Sequence, residues 1–143
     1  MSGIVVGVDG SPHSMKSLDW ALDEAALRKT SVTVLAVAPA AASIWRIAGQ
    51  FDPAPETQKK VKEAAEGIVK EAASRHGQQQ VTVLTVSGVP ADELIKASEN
   101  ADLLVVGARG AGGFARLTMG SVSSQVAHHS HCPVVIVRAD QVS

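Results

Sequence analysis

The sequence predicts an α/β fold: an open, parallel, five-stranded sheet, doubly wound, with helices on both faces. Three observations predict it. The strand-like segments are β-branched runs without polar alternation, the pattern of strands buried on both faces. Segments with apolar residues at helical spacing alternate with them in the order βαβαβαβαβ, so the strands are joined by crossovers and lie parallel. The length of 143 residues suits one domain, at about 150 residues each, and a chain of that size buries roughly two-thirds of its unfolded surface. Residues 1–143 are therefore read as a single domain without repeat or linker.

Ile4-Val5-Val6-Gly7-Val8 is a short buried strand that meets a turn at Asp9-Gly10-Ser11. Ser11-Pro12 has the form of an N-cap followed by proline at the first helical position. Met15, Leu18, Leu22, Ala25 and Ala26 then recur at helical spacing, giving a first helix to about Lys29. Ser31 to Val37 is the second strand. Pro39 to Pro55 is a long connection for a compact domain, a length that points to a functional or flexible role. Val61, Ala65, Ile68, Val69 and Ala72 mark a second helix that stops before Gly77. Val81 to Val86 is the third strand, and Gly88-Val89-Pro90 leads into a helix carrying Leu94, Ile95 and Ala97. Leu103 to Val106 is the fourth strand. A glycine-rich loop follows from Gly107 through Met119, then a helix from about Gly120 to His129, and Pro133 to Val137 is the last strand.

Composition narrows the function. Hydrophobic residues make up 45% and charged residues 19% of the chain, which excludes disordered, collagen-like and coiled-coil classes. Thirteen basic against fourteen acidic residues leave a formal charge of −1, without the footprint of a nucleic-acid or polybasic membrane binder. Aromatic residues are only 3%, too few for a base-stacking platform. The single cysteine forms no internal disulfide, which fits a reducing compartment. The first residues lack the basic and apolar regions of a signal peptide. The longest apolar stretch, Val34 to Ala42, contains Pro39 and falls far short of the ~20 residues of a membrane span. The expectation is a soluble cytoplasmic domain.

In open parallel sheets the ligand sits beyond the carboxyl ends of the strands, at a topological switch point. Two segments after strands therefore matter most: Val8-Asp9-Gly10-Ser11, and Gly107 to Ser123. The glycines of the second let a ligand approach the backbone. That loop delivers Gly120-Ser121-Val122-Ser123 to a helix start, where free N–H groups and the helix dipole favour an anion such as phosphate and serine hydroxyls add donors. The alternative is a plain loop whose Ser121 only caps its helix. Two other fingerprints fail. Gly110-x-Gly112-x-x-Ala115 matches the dinucleotide pattern formally, but it follows the fourth strand rather than the first. A P-loop needs a Gly-Lys pair, and the chain has none.

Gly107-x2-Gly110-x9-Gly120-Ser121 resembles the ATP-binding signature of the universal stress protein family in every fixed position. The resemblance extends to Ile4 through Ser11, to Gly88-Val89-Pro90, to Ala101 through Gly107 and to Cys132 through Val137, in the family's order. It covers the chain apart from the stretch near residues 39 to 58. The resemblance implies the strand order 3-2-1-4-5 of the adenine nucleotide alpha hydrolase-like folds, an ATP ligand and an associated Mg²⁺. Gly7, Val8 and Asp9 would contact adenine and ribose, with Asp9 near the phosphate-bound metal. Val37 would contact adenine through its backbone. Gly107, Arg109, Gly110, Gly120, Ser121, Val122 and Ser123 would line ribose and phosphates, Arg109 being outside the fixed signature. Antiparallel pairing of the last strand, through Val134, Val135, Ile136 and Val137, would form a homodimer.

Asp9 also has a plainer reading, as a residue that stabilises its turn or caps the first helix. His13 reads as a surface residue. His128, His129, His131 and Cys132 bring three histidines and a thiol together, yet zinc sites draw ligands from two spaced pairs and no second pair exists. Lys59, Lys60, Lys62 and Lys70 belong to the solvated face of the second helix. The sequence thus predicts a regulatory module that binds ATP with little or no turnover. The alternatives are a slow ATP hydrolase on the same scaffold and a binder of another adenine nucleotide, such as cyclic AMP.

Overall fold

The computed structural model describes residues 3–9, 12–39, 54–76, 80–108 and 120–138. The elements are β1 (Ile4–Gly7), α1 (Pro12–Arg28), β2 (Val32–Pro39), α2 (Ala54–His76), β3 (Val81–Gly88), α3 (Pro90–Ser98), β4 (Leu103–Gly107), α4 (Ser121–His129) and β5 (Val134–Val137). All four strand pairings are parallel, in the order β3-β2-β1-β4-β5. The fold class and strand order expected from the sequence are those observed.

Element bounds differ in small ways with clear causes. β2 and β3 run two residues further than expected, to Pro39 and Gly88, because the pair stays in register through Ala38↔Ser87 and Pro39↔Gly88. Pro133 precedes β5 rather than opening it, though its carbonyl accepts the Leu104 N–H at 3.0 Å. α1 closes where Lys29 takes a left-handed φ of 56° and Thr30 N–H reaches back to Ala25 O at 3.1 Å. Of the long connection singled out above, residues 40–53 lie outside the described residues.

Strand alternation divides the core in two. Ile4, Val6 and Val8 of the β1 segment join Val32, Val34, Leu103 and Val105 under Leu18, Ala21, Leu22 and Ala25 of α1 and Ala72 of α2. Val5, Leu35, Leu104 and Val106 point the other way, against Leu94 of α3 and Val126 of α4. Both faces of the central strands are covered, which is why those strands read as unbroken apolar runs. On the outer seam of α1 and α2, Asp19 meets Arg75 at 2.9 Å and His76 Nε2 at 3.0 Å, while His76 Nδ1 lies 2.9 Å from Asp23. Burial pushes the Asp19 carboxyl up, but hydrogen bonds from Arg75 and His76 outweigh it and hold it below the ordinary carboxylate value. Among the described residues no helix is long and apolar enough to cross a membrane.

At the amino ends of the strands, Gly3 and Asp102 form a two-bond clamp. Gly3 N–H donates to Asp102 Oδ2 at 2.8 Å, and Asp102 N–H donates to Gly3 O at 2.9 Å. Gly3 has a φ of +110°, and a Cβ there would lie 2.7 Å from Ser31 Oγ, so only glycine fits. Asp102→Ala leaves the Gly3 N–H without its carboxylate and is expected to cost about 1–2 kcal/mol. The cost should appear as a lower urea midpoint with nucleotide affinity unchanged, since the clamp lies at the end of the sheet away from the crevice described next.

Candidate functional site

The chain leaves β1 toward β2 on one side and leaves β4 toward β5 on the other. β1 and β4 are neighbours, so their carboxyl ends define the switch point of the sheet. α1 departs onto the face holding Val6 and Val105, and α4 onto the face holding Val5 and Leu104. Segments that leave neighbouring strands for opposite faces define a crevice between them, the position where open parallel sheets take a ligand.

One wall is Gly7, Val8 and Asp9. Val8 N–H donates to Leu35 O at 3.0 Å, the last rung between β1 and β2. Asp9 follows with an exposed side chain, and its N–H donates to Ser14 Oγ at 3.2 Å. Ser14, the third residue of α1, is buried. Gly7 has a packing reason of its own: a Cβ there would stand 3.0 Å from Leu94 Cδ2, so the missing side chain admits α3 against the sheet.

The other wall is Gly107, Ala108 and the start of α4. Ala108 N–H donates to Val137 O at 2.9 Å, which continues the β4–β5 ladder past Gly107. Ala108 O then accepts two bonds, from Gly120 N–H at 2.7 Å and from Ser123 Oγ at 2.8 Å. Both of its lone pairs are thereby used. Gly120 is the N-cap of α4, with φ −70° and ψ 170°, and no side chain caps the helix. Ser124 N–H is the first amide to find the intrahelical acceptor, Gly120 O at 3.0 Å. The amides of Ser121, Val122 and Ser123 have no acceptor within the helix and carry its positive dipole end.

The sequence treated the serine hydroxyls of this first turn alike, and the structure separates them. Ser121 is exposed, whereas Ser123 is 1% exposed with its hydroxyl directed at Ala108 O and Gly120 O, 3.1 Å away, as a second acceptor. The Ser123 proton is committed within the protein, so what that residue turns outward is its backbone amide. Val122 is half-buried and packs beside Val126.

Val37 completes the crevice from β2. Leu35 O faces β1, and in a parallel ladder every second residue faces the same neighbour. Val37 therefore turns its N–H and C=O to the β1 side, two residues beyond the last β1–β2 rung, where β1 has already ended. A donor and an acceptor stand there side by side. Arg109 and Gly110, also expected at the site, lie outside the described residues.

The histidine cluster is arranged differently from a metal centre. His128 Nδ1 lies 2.9 Å from Ser124 O and donates to it, and His131 Nε2 lies 3.9 Å from Glu99. Among the described residues no group of three or more His, Cys, Asp or Glu is disposed to hold a metal ion. Sequence reasoning missed Ser14 and Ala108. Ser14 had a usable signal, a small hydroxyl at the third helical position after a strand, but Ala108 acts only through its carbonyl and leaves no trace in residue type.

A family model described as the universal stress protein family matches residues 1–138 of the chain. Universal stress protein Rv2623 of Mycobacterium tuberculosis is 34% identical over 139 residues, covering 94% of this chain and 47% of that protein. The chain spans about half the length of the curated relatives it matches. A solved universal stress protein in complex with cAMP is 28% identical with a TM-score of 0.68, covering 97% of this chain and 98% of that one. Universal stress protein UspA from Lactobacillus plantarum is 22% identical, with a TM-score of 0.73 over 96% of this chain and 97% of that one, a likeness of fold.

Proposed function

The chain belongs to the universal stress protein family, and from that premise we propose that it is a regulatory module that binds ATP in the crevice between β1 and β4. The observation that carries the reading is the pairing of two recognition elements across one crevice. Val37 offers an N–H and a C=O in the spacing that an adenine edge, with its ring-nitrogen acceptor and exocyclic amino donor, can match. The three uncapped amides of α4 offer a phosphate the positive end of a helix. Gly107-x2-Gly110-x9-Gly120-Ser121 ties the second element to the ATP-binding signature.

Mg²⁺ accompanies ATP in this reading. It binds through one or two carboxylates together with phosphate oxygens, and the exposed Asp9 carboxylate at the end of β1 fits that donor set. Bound there, the ion would neutralise phosphate charge, and Asp9 would hold it against the β1 side. Asp9→Ala is then expected to weaken ATP about tenfold with Mg²⁺ present and by less than about twofold in EDTA, a difference of at least about fivefold, or ~1 kcal/mol. Calorimetry in the two buffers checks it, and equal losses would remove the metal role.

Turnover is expected to be slow or absent. Around the ends of β1 and β4 the described side chains of Asp9 and Ser121 and the backbone amides of α4 form a set that binds phosphate and metal. Dedicated phosphoryl-transfer enzymes work at ~1–100 s⁻¹. Phosphate release at such a rate, abolished by Asp9→Ala, would make the protein an ATP hydrolase instead. Cyclic AMP is the second reading, favoured by the relative solved in complex with cAMP, and competition between the two nucleotides ranks them. The module acts in this account as a cytoplasmic homodimer joined through β5.

A further inference from the structure

Ser14 and Ser123 repeat one device on the two walls of the crevice. Each is the third residue of the helix that follows its strand, α1 and α4. Each is buried, at 4% and 1% exposure. Each hydroxyl reaches back to the backbone just past the strand: Ser14 Oγ accepts Asp9 N–H at 3.2 Å, and Ser123 Oγ donates to Ala108 O at 2.8 Å. On the α4 side, Gly120 N–H donates to the same carbonyl at 2.7 Å, so the cap residue and the third residue of α4 are bound to one atom at the end of β4.

We propose that Ser14 and Ser123 are positioning residues that pin the starts of α1 and α4 to the ends of β1 and β4, and so set the spacing of the crevice without touching the ligand. The proposal rests on the nucleotide-binding reading only for its consequence, since the pins exist in the free protein. The reason for a pin at α4 is plain. Gly120 carries no capping side chain, so the start of α4 lacks the bond by which a capping residue holds a helix end. Ser123 supplies from inside the helix the fixation that a capping residue would supply at its tip, and it leaves the first-turn amides open. A side-chain cap would instead consume one of them.

The test compares two variants of matched shape, Ser123→Thr and Ser123→Val, which differ in the hydroxyl. Hydrogen exchange is followed at the Gly120 amide in the ligand-free protein, with Val6 and Val105 as core references. The expected result is wild-type exchange at Gly120 in the threonine variant and about tenfold faster exchange in the valine variant, the loss of one buried bond to the shared acceptor. The core amides should stay unchanged in both. ATP affinity should fall about tenfold in the valine variant alone, with adenosine affinity unaltered, because the displaced element faces the phosphates. Equal Gly120 exchange in the two variants overturns the proposal, and equal exchange with a tenfold affinity difference would make Ser123 a direct ligand instead. If the wild-type chain binds no ATP, the functional reading fails, while the Gly120 comparison still decides whether the pin exists.

Discussion

Gly120→Asp is expected to lower ATP affinity at least about 100-fold, ~2.7 kcal/mol, while leaving the thermal midpoint unchanged or slightly raised. The backbone does not require glycine there: φ −70° and ψ 170° suit any residue. Aspartate is among the best N-cap residues, and over glycine it contributes a few tenths of a kcal/mol to helix stability. Its carboxylate would take the Ser123 amide and place a negative charge at the dipole end that the phosphates would occupy. Stability and binding are thus predicted to part, which is the pattern of a position kept bare for a ligand. Calorimetry with ATP and a melting curve on the same sample check both halves. Full affinity in the variant would take α4 out of the site.

Ile136→Pro is expected to convert a homodimer into a monomer, raising the dissociation constant at least about 100-fold. Among the described residues β5 pairs only with β4 and forms an edge of the sheet. Val134, Val135, Ile136 and Val137 carry no charge to protect that edge, which makes it a template for a further strand. Pro133 O and Val137 O face β4, where they accept the amides of Leu104 and Ala108. By alternation Val135 faces β4 as well, and Val134 and Ile136 turn their N–H groups to the open side. Proline at Ile136 therefore removes a donor from the outer edge and spares the internal ladder, as edge proline does. Proline at Val135 would break the β4–β5 pairing itself and would report on folding rather than association. Light scattering at micromolar concentration distinguishes the outcomes, and a wild-type monomer, or a dimer indifferent to Ile136→Pro, would remove β5 from the interface.

The sheet was legible because its central strands are buried on both faces, so runs such as Ile4-Val5-Val6 and Leu103-Leu104-Val105-Val106 announce themselves by composition. Strand ends were less legible. Ser87 and Gly88 pair with Ala38 and Pro39 through backbone groups, and backbone pairing leaves no mark on residue type. The same limit applies to the site. Glycine spacing pointed to the segment that reaches α4, yet the double acceptance at Ala108 O and the outward peptide of Val37 are matters of carbonyl direction. Asp102 read as part of a family-like segment and proved to be a clamp on Gly3, visible only once β1 and β4 were neighbours. Gly7 was assigned to the ligand from resemblance, and the close approach of Leu94 gives it a second reason that no local pattern encodes.

The most direct test is an amide chemical-shift titration of the labelled protein with Mg-ATP. Saturable shifts are expected at Asp9, Val37 and Gly120 through Ser124, with Gly3 and Asp102 at the opposite end of the sheet unmoved. An absence of saturable shifts at millimolar nucleotide, or shifts centred on the Gly3–Asp102 end, would contradict it.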